Sequence, residues 1–145
     1  MTGLYVLAAA LLASAVVAVL LKWRNGRFAS PDAHRTDETV LTADTIGGAL
    51  GRDATLVQFS SSFCAPCRAT RVLLTDIAQR TDGVETIEIN AEEHLDLVNQ
   101  LGIMRTPTVL VLDSRGVVRT RASGLPRREQ VMAAVAAAHP GSAIL

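Results

Sequence analysis

Thr55-Leu56-Val57-Gln58-Phe59-Ser60-Ser61-Ser62-Phe63-Cys64-Ala65-Pro66-Cys67-Arg68 is the stretch on which the fold of this chain turns. Its first five residues make a β-rich run, which ends in three serines. Beyond the cysteines, Leu73, Leu74 and Ile77 recur at helical spacing through Arg80, until Asp82-Gly83 breaks the pattern. A strand that runs directly into a helix therefore carries both cysteines of the chain at its turn. Pro66 suits that turn, because proline is tolerated in a helix's first residues.

Working outward, Thr39 to Thr42 is expected as a short edge strand and Ala43 to Leu50 as a helix capped by Gly51. Val84 to Asn90 alternates as a strand with Ile87 and Ile89 on its apolar face. Glu92 to Leu101 reads as a short helix with Leu95, Val98 and Leu101 inward, closed by Gly102. Pro107 to Leu112 and Val117 to Ala122 read as strands joined by the turn Asp113-Ser114-Arg115-Gly116. Pro126 opens a last helix with Val131, Met132, Val135 and Ala136 inward. A βαβ half is thus followed by a β-hairpin and a helix, which is an α/β domain over 39–139 with a tail at 140–145.

The N-terminal part is of another kind. Leu4 to Leu21 is apolar apart from Tyr5 and Ser14, and no charge precedes it. At ~1.5 Å per residue such a helix spans roughly 27 Å, close to the hydrocarbon thickness of a bilayer. A cleaved signal peptide is the competing reading, since Ala13-Ser14-Ala15 has the small-x-small form. The missing basic residues before the run, and its continuation past Ala15, favour an uncleaved single-pass anchor over 1–21. Lys22, Trp23, Arg24 and Arg27 follow, and by the positive-inside bias they belong in the cytoplasm together with the domain behind them, the alternative being an extracytoplasmic domain that draws electrons from a donor across the membrane. Residues 22–38 show no periodicity and read as a tether. Lys plus Arg and Asp plus Glu each number 14, so no basic field marks the chain as a nucleic-acid partner. No repeat of stackable period is visible.

Two cysteines separated by two residues at a helix start can close a small disulfide ring. The helix dipole and unpaired amides there favour a thiolate, lowering a cysteine pKa from ~8.5 to roughly 3.5–7.5. Cys64 is the expected nucleophile and Cys67, one turn inward, the thiol that resolves a mixed disulfide. Three other uses are weighed against this. Half of a zinc site would need a second subunit, because these are the only cysteines and no histidine pair lies near. A structural disulfide over so short a ring would constrain the unfolded chain little, and two inert core cysteines would not need Ala65-Pro66 between them. His34, His94 and His139 read as solvated or capping residues.

From about Thr39 to His139 the chain resembles the thioredoxin family. Three elements carry the likeness in the family's order: Cys64-Ala65-Pro66-Cys67 after a strand, Gly102-Ile103-Met104-Arg105-Thr106-Pro107-Thr108 as the segment around the family's cis-proline, and the hairpin with Ser123-Gly124 before the last helix. The resemblance implies a thioredoxin fold, a central mixed sheet flanked by helices, here behind one transmembrane helix. It also implies a cis Thr106-Pro107 bond facing the disulfide, with the Thr106 backbone free to pair with an extended substrate. Phe63, Ala65, Pro66, Thr106 and Pro107 would then contact substrate.

The chain departs from the family at several positions. Gln58 stands where the family has a buried acid, Thr86 where it has a buried lysine, and Val72 where a kinking proline is common. Phe63 and Ser60 stand in place of tryptophans, and Ala65 in place of glycine. The function so implied is disulfide exchange on disulfide-containing proteins or small thiols. Cys64-Cys67 would be the redox group, with neither metal nor other cofactor. No GxGxxG motif is present, so electrons would come from a thiol protein or reductase. The other reading is a membrane-bound adaptor that uses the fold to hold a partner and does not need its dithiol.

Overall fold

A computed structural model of the chain describes residues 2–24, 28–29 and 39–139. In order these form α1 (Thr2–Arg24), β1 (Phe28–Ala29), α2 (Ala43–Ile46), β2 (Ala54–Ser60), α3 (Ala65–Arg80), β3 (Val84–Asn90), α4 (Leu95–Leu101), β4 (Thr108–Asp113), β5 (Val118–Ser123) and α5 (Arg128–Ala138). The strands make one mixed sheet in the order β1-β5-β4-β2-β3. Only β2 and β3 are parallel, joined through α3, while β4 and β5 form the antiparallel hairpin.

Alternation along the strands builds two cores. Val57, Phe59, Leu110 and Leu112 face one side of the sheet and pack with Ile46 of α2 and with Leu97 and Leu101 of α4. Ala54, Leu56, Val109 and Val111 face the other side, against Leu74 and Ile77 of α3 and Val131, Ala134, Val135 and Ala138 of α5. β2 lies between β3 and β4, and all seven of its residues are buried, as befits a central strand with both faces covered. Ile89 is buried and Ile87 packs at the edge of the first core, as their alternation implies.

Several elements differ from expectation. The expected strand over Thr39 to Thr42 is a single bridge from Val40 to Val117. α2 stops at Ile46, four residues short of Leu50, because Gly47 turns left-handed at φ 69° and donates to the Ala43 carbonyl. α4 begins at Leu95, and its buried residues are Leu97 and Leu101, with Leu95 exposed. In α5, Ala134 and Ala138 take the inward places expected of Met132 and Ala136. β4 and β5 each run one residue later than expected.

Within the stretch read as a tether, β1 pairs antiparallel with β5, Phe28 opposite Ala122 and Ala29 opposite Arg121. The rest of that stretch beyond Arg24, with Arg27 and His34, and the tail 140–145 lie outside the described residues. The window Gly3–Lys22 of α1 has a mean hydropathy of 2.7, and its leucines and valines are exposed. By length and composition this helix can cross a bilayer.

Candidate active site

β2 delivers the chain to Ser60, and beyond the short serine loop Cys64 sits in extended conformation at the N-cap of α3. There it acts as a capping side chain: its Sγ accepts from the Cys67 N–H at 3.2 Å. Pro66 occupies the first turn, where a missing N–H costs no helical bond. Cys64 and Cys67 are joined as a disulfide with their Cα atoms 5.2 Å apart. Cys64 is half-buried, Cys67 is buried, and Ala65 and Pro66 are exposed. The two sulfurs thus differ in access, with one near solvent and one behind it.

The Thr106-Pro107 bond is cis, as the resemblance implies. Thr106 and Pro107 line one groove with Pro66, so the loop before β4 and the start of α3 meet there. Ser61 and Thr106 join the two loops through their hydroxyls, 2.9 Å apart. The Gly124 N–H holds the Pro107 carbonyl at 2.7 Å, and Thr108 Oγ1 donates to the Arg105 carbonyl. The groove encloses about 490 Å³ and continues past Gly124 and Leu125 to Arg127. Phe63 is fully exposed beside Cys64 and Met104 is nearly so.

Behind the dithiol, Gln58 points to the α3 side of the sheet, the same side as Leu56. It is 1% exposed, and its Nε2 donates to the Cys67 carbonyl at 2.9 Å. A neutral amide therefore anchors the first turn of α3 where the family has an acid. Its register neighbour Glu88 pairs with Arg71 of α3 at 2.6 Å. Burial would raise the Glu88 carboxyl, but hydrogen bonds from Arg71 and Ser60 and the charge of Arg71 outweigh it and hold the group below its ordinary value. Glu92 accepts from the Ser62 hydroxyl at 2.7 Å and backbone at 3.3 Å, fixing the loop that leads to Phe63.

The structure thus gathers Cys64, Cys67, Pro66, Thr106 and Pro107 at one place, with Phe63 and Ala65 exposed next to them. Sequence reasoning did not single out Ser61, Ser62, Glu92, Arg105 or Arg127. The serine run was the one available signal, since polar residues between a strand and a helix need partners. His94 sits at the N-cap of α4 without a side-chain cap bond, and His139 Nδ1 lies 3.6 Å from Asp53, both away from the dithiol. No group of three or more metal-ligating side chains occurs among the described residues.

An accessible cysteine at a helix start, a second cysteine one turn inward and a cis-proline loop across the groove define a thiol-disulfide oxidoreductase. The chain belongs to the thioredoxin family, whose model matches residues 40–137. Thioredoxin 1 of Synechococcus elongatus is 30% identical over 73 residues, 50% of this chain and 68% of that protein. The thioredoxin of Alicyclobacillus acidocaldarius is 30% identical over 87 residues, 59% of this chain and 82% of that one. Among solved structures, chloroplastic thioredoxin z superposes with a TM-score of 0.53 at 26% identity, over 59% of this chain and 78% of its own. Thioredoxin F from spinach chloroplast also scores 0.53, at 24% identity, over 61% of this chain and 78% of its own. The fold is the thioredoxin fold.

Proposed function

We propose that this protein is a membrane-tethered disulfide reductase acting through a mixed disulfide. The observation that carries the reading is the unequal access of the two sulfurs, Cys64 toward solvent at the N-terminus of α3 and Cys67 buried behind it. Reduced, Cys64 is the group that the helix N-terminus favours as thiolate. It attacks one sulfur of a substrate disulfide and expels the other as a thiolate. The Cys67 thiolate then attacks Cys64 Sγ and releases the second substrate sulfur, so two electrons pass to substrate and the pair is left oxidised. A donor dithiol, from a thiol protein or reductase, returns it to the reduced state by the reverse exchange. Phe63, Ala65, Pro66 and Pro107 border the substrate, and the Thr106 backbone pairs with it.

Residues 1–21 serve as the anchor, 22–38 as the tether, 39–139 as the catalytic domain and 140–145 as a tail. The cations after the anchor favour a cytoplasmic domain, where a dithiol is kept reduced.

The test is Cys67→Ser. With its resolving thiol gone, the variant is expected to accumulate a covalent, dithiothreitol-sensitive adduct with a disulfide-bearing protein, seen on a non-reducing gel and lost in the Cys64→Ser, Cys67→Ser double variant. Absence of any adduct while Cys64 is free and reduced would sink the mechanism.

Gln58 bears on the second step, because it cannot take the Cys67 proton. Gln58→Asp is expected to speed resolution of the mixed disulfide by about tenfold, below the usual range for a positioned base. It should cost about 1–3 kcal/mol through the altered bond to the Cys67 carbonyl. Stopped-flow resolution at neutral pH measures this, and an unchanged rate would remove proton relay from the account.

A further inference from the structure

Lys22, in the last turn of α1, lines the same groove as Pro66, Thr106 and Pro107. Since Gly3–Lys22 is the apolar window of that helix, Lys22 falls where a spanning helix meets the headgroups. What shares a groove with it lies near the same level. The chain path supports this independently. Only residues 25–27 separate Arg24 from Phe28, a reach of at most about 14 Å when extended. Phe28 pairs with Ala122 of β5, and two residues on from Ala122, Gly124 lines the groove. The anchor therefore enters the domain beside the dithiol and not on the far side of the sheet.

The surface around the groove has matching chemistry. Among the described residues Lys22, Arg105 and Arg127 line it and no carboxylate does, while Phe63 and Met104 stand out at 100% and 92% exposure. Cations beside protruding apolar side chains are the composition of a surface that meets anionic headgroups. We infer that the groove opens onto the bilayer surface and selects disulfides carried on juxtamembrane segments of integral membrane proteins. This rests on reading α1 as an anchor and the dithiol as a reductase. The exchange chemistry is unchanged, and what is added is where the substrate disulfide must lie.

The full chain is reconstituted in vesicles with a single-span probe peptide whose disulfide lies about three or about thirty residues beyond its membrane span, on the face the domain occupies. The near disulfide is expected to be reduced roughly tenfold faster, because the fixed height of the groove sets its effective concentration. A flexible spacer of about twenty Gly/Ser residues inserted between Asn25 and Gly26 adds roughly 25 Å of reach. It is expected to abolish the preference while turnover of a soluble protein disulfide stays the same. Equal rates at both heights, or a preference that survives the spacer, overturn the inference. So does a rate that follows acidic flanks on the probe irrespective of height, which would give the cations to acidic peptides. Failure of the parent readings is seen separately: loss of soluble-disulfide turnover removes the reductase, and release of the chain by carbonate extraction removes the anchor, and either takes the inference with it.

Discussion

Cys64→Ser is expected to reduce disulfide turnover to the uncatalysed background, a loss of at least about a thousandfold, as befits removal of a covalent nucleophile. Serine cannot form the mixed disulfide, and its hydroxyl stays protonated where a thiol at a helix N-terminus ionises. The fold should survive, since Cys64 caps α3 by accepting from the Cys67 N–H and serine is among the best residues for that place. Turnover of a soluble protein disulfide, with a dithiol donor in excess, measures the loss, and unchanged thermal unfolding certifies the fold. The same variant separates catalysis from adaptor use. In a cell that depends on the protein, an adaptor carrying Cys64→Ser keeps its whole phenotype, whereas a reductase carrying it loses that phenotype.

The parts of this fold that were legible in the sequence are those where local pattern and tertiary demand agree. Val84–Asn90 has the expected bounds because alternation and the preceding Asp82-Gly83 break mark the same strand. α3 was visible from its cysteines to Arg80 because Leu74 and Ile77 repeat at helical spacing and both are buried. The dithiol and the cis-proline loop were legible as motifs. That Pro66, between the two cysteines, shares a groove with Thr106 and Pro107 follows only from β2 and β4 being neighbours, Phe59 opposite Thr108.

Other features were hidden because distant residues decide them. Glu92 looked like a helix start, but its carboxylate holds Ser62, thirty residues earlier, and its N–H binds Asn90 Oδ1, so α4 waits until Leu95. In α5 hydrophobicity pointed to Met132, yet the helix packs on the sheet through Val131, Ala134, Val135 and Ala138. Small residues carry no such signal until the neighbour is known. β1 is two residues long and too short for any period, though it fixes where the chain from α1 joins the sheet. The Ser61–Thr106 and Gln58–Cys67 bonds join positions with no sequence relation, and they tie the site's loops and the first turn of α3 to their neighbours.

Asp113→Asn is expected to destabilise the protein by about 2–3 kcal/mol at neutral pH, toward the low end for breaking a buried ion pair because Arg119 is partly exposed. Asp113 ends β4 and is 3% exposed. One carboxylate oxygen accepts from the N–H groups of Arg115 at 2.8 Å and Val117 at 3.0 Å, and the other from Nε and Nη2 of Arg119 at 2.9 and 2.7 Å. Asparagine would leave one of these donor pairs facing an NH2 group. The turn cannot easily move aside, since Gly116 holds φ 81° and a Cβ there would meet the Leu41 carbonyl at 2.1 Å.

Burial would raise the Asp113 carboxyl, but the Val117 and Arg115 amides and the Arg119 guanidinium outweigh it and hold the group below its ordinary value. The unfolded chain titrates near ~3.9. The stabilisation is therefore complete above roughly pH 4–5 and is lost as pH falls through the lower native value, where the unfolded state binds the proton first. Asp76 and Glu88 are shifted the same way and steepen the acid limb of wild type and variant alike. Denaturant unfolding of the detergent-solubilised full chain should thus show the gap between wild type and Asp113→Asn narrowing below about pH 4. A gap constant with pH would mean that shape, not charge, sets the cost. Because this turn lies at the opposite end of β4 from Pro107, the folded variant is expected to turn over disulfides at the wild-type rate at neutral pH, separating the stability of the hairpin from the chemistry it supports.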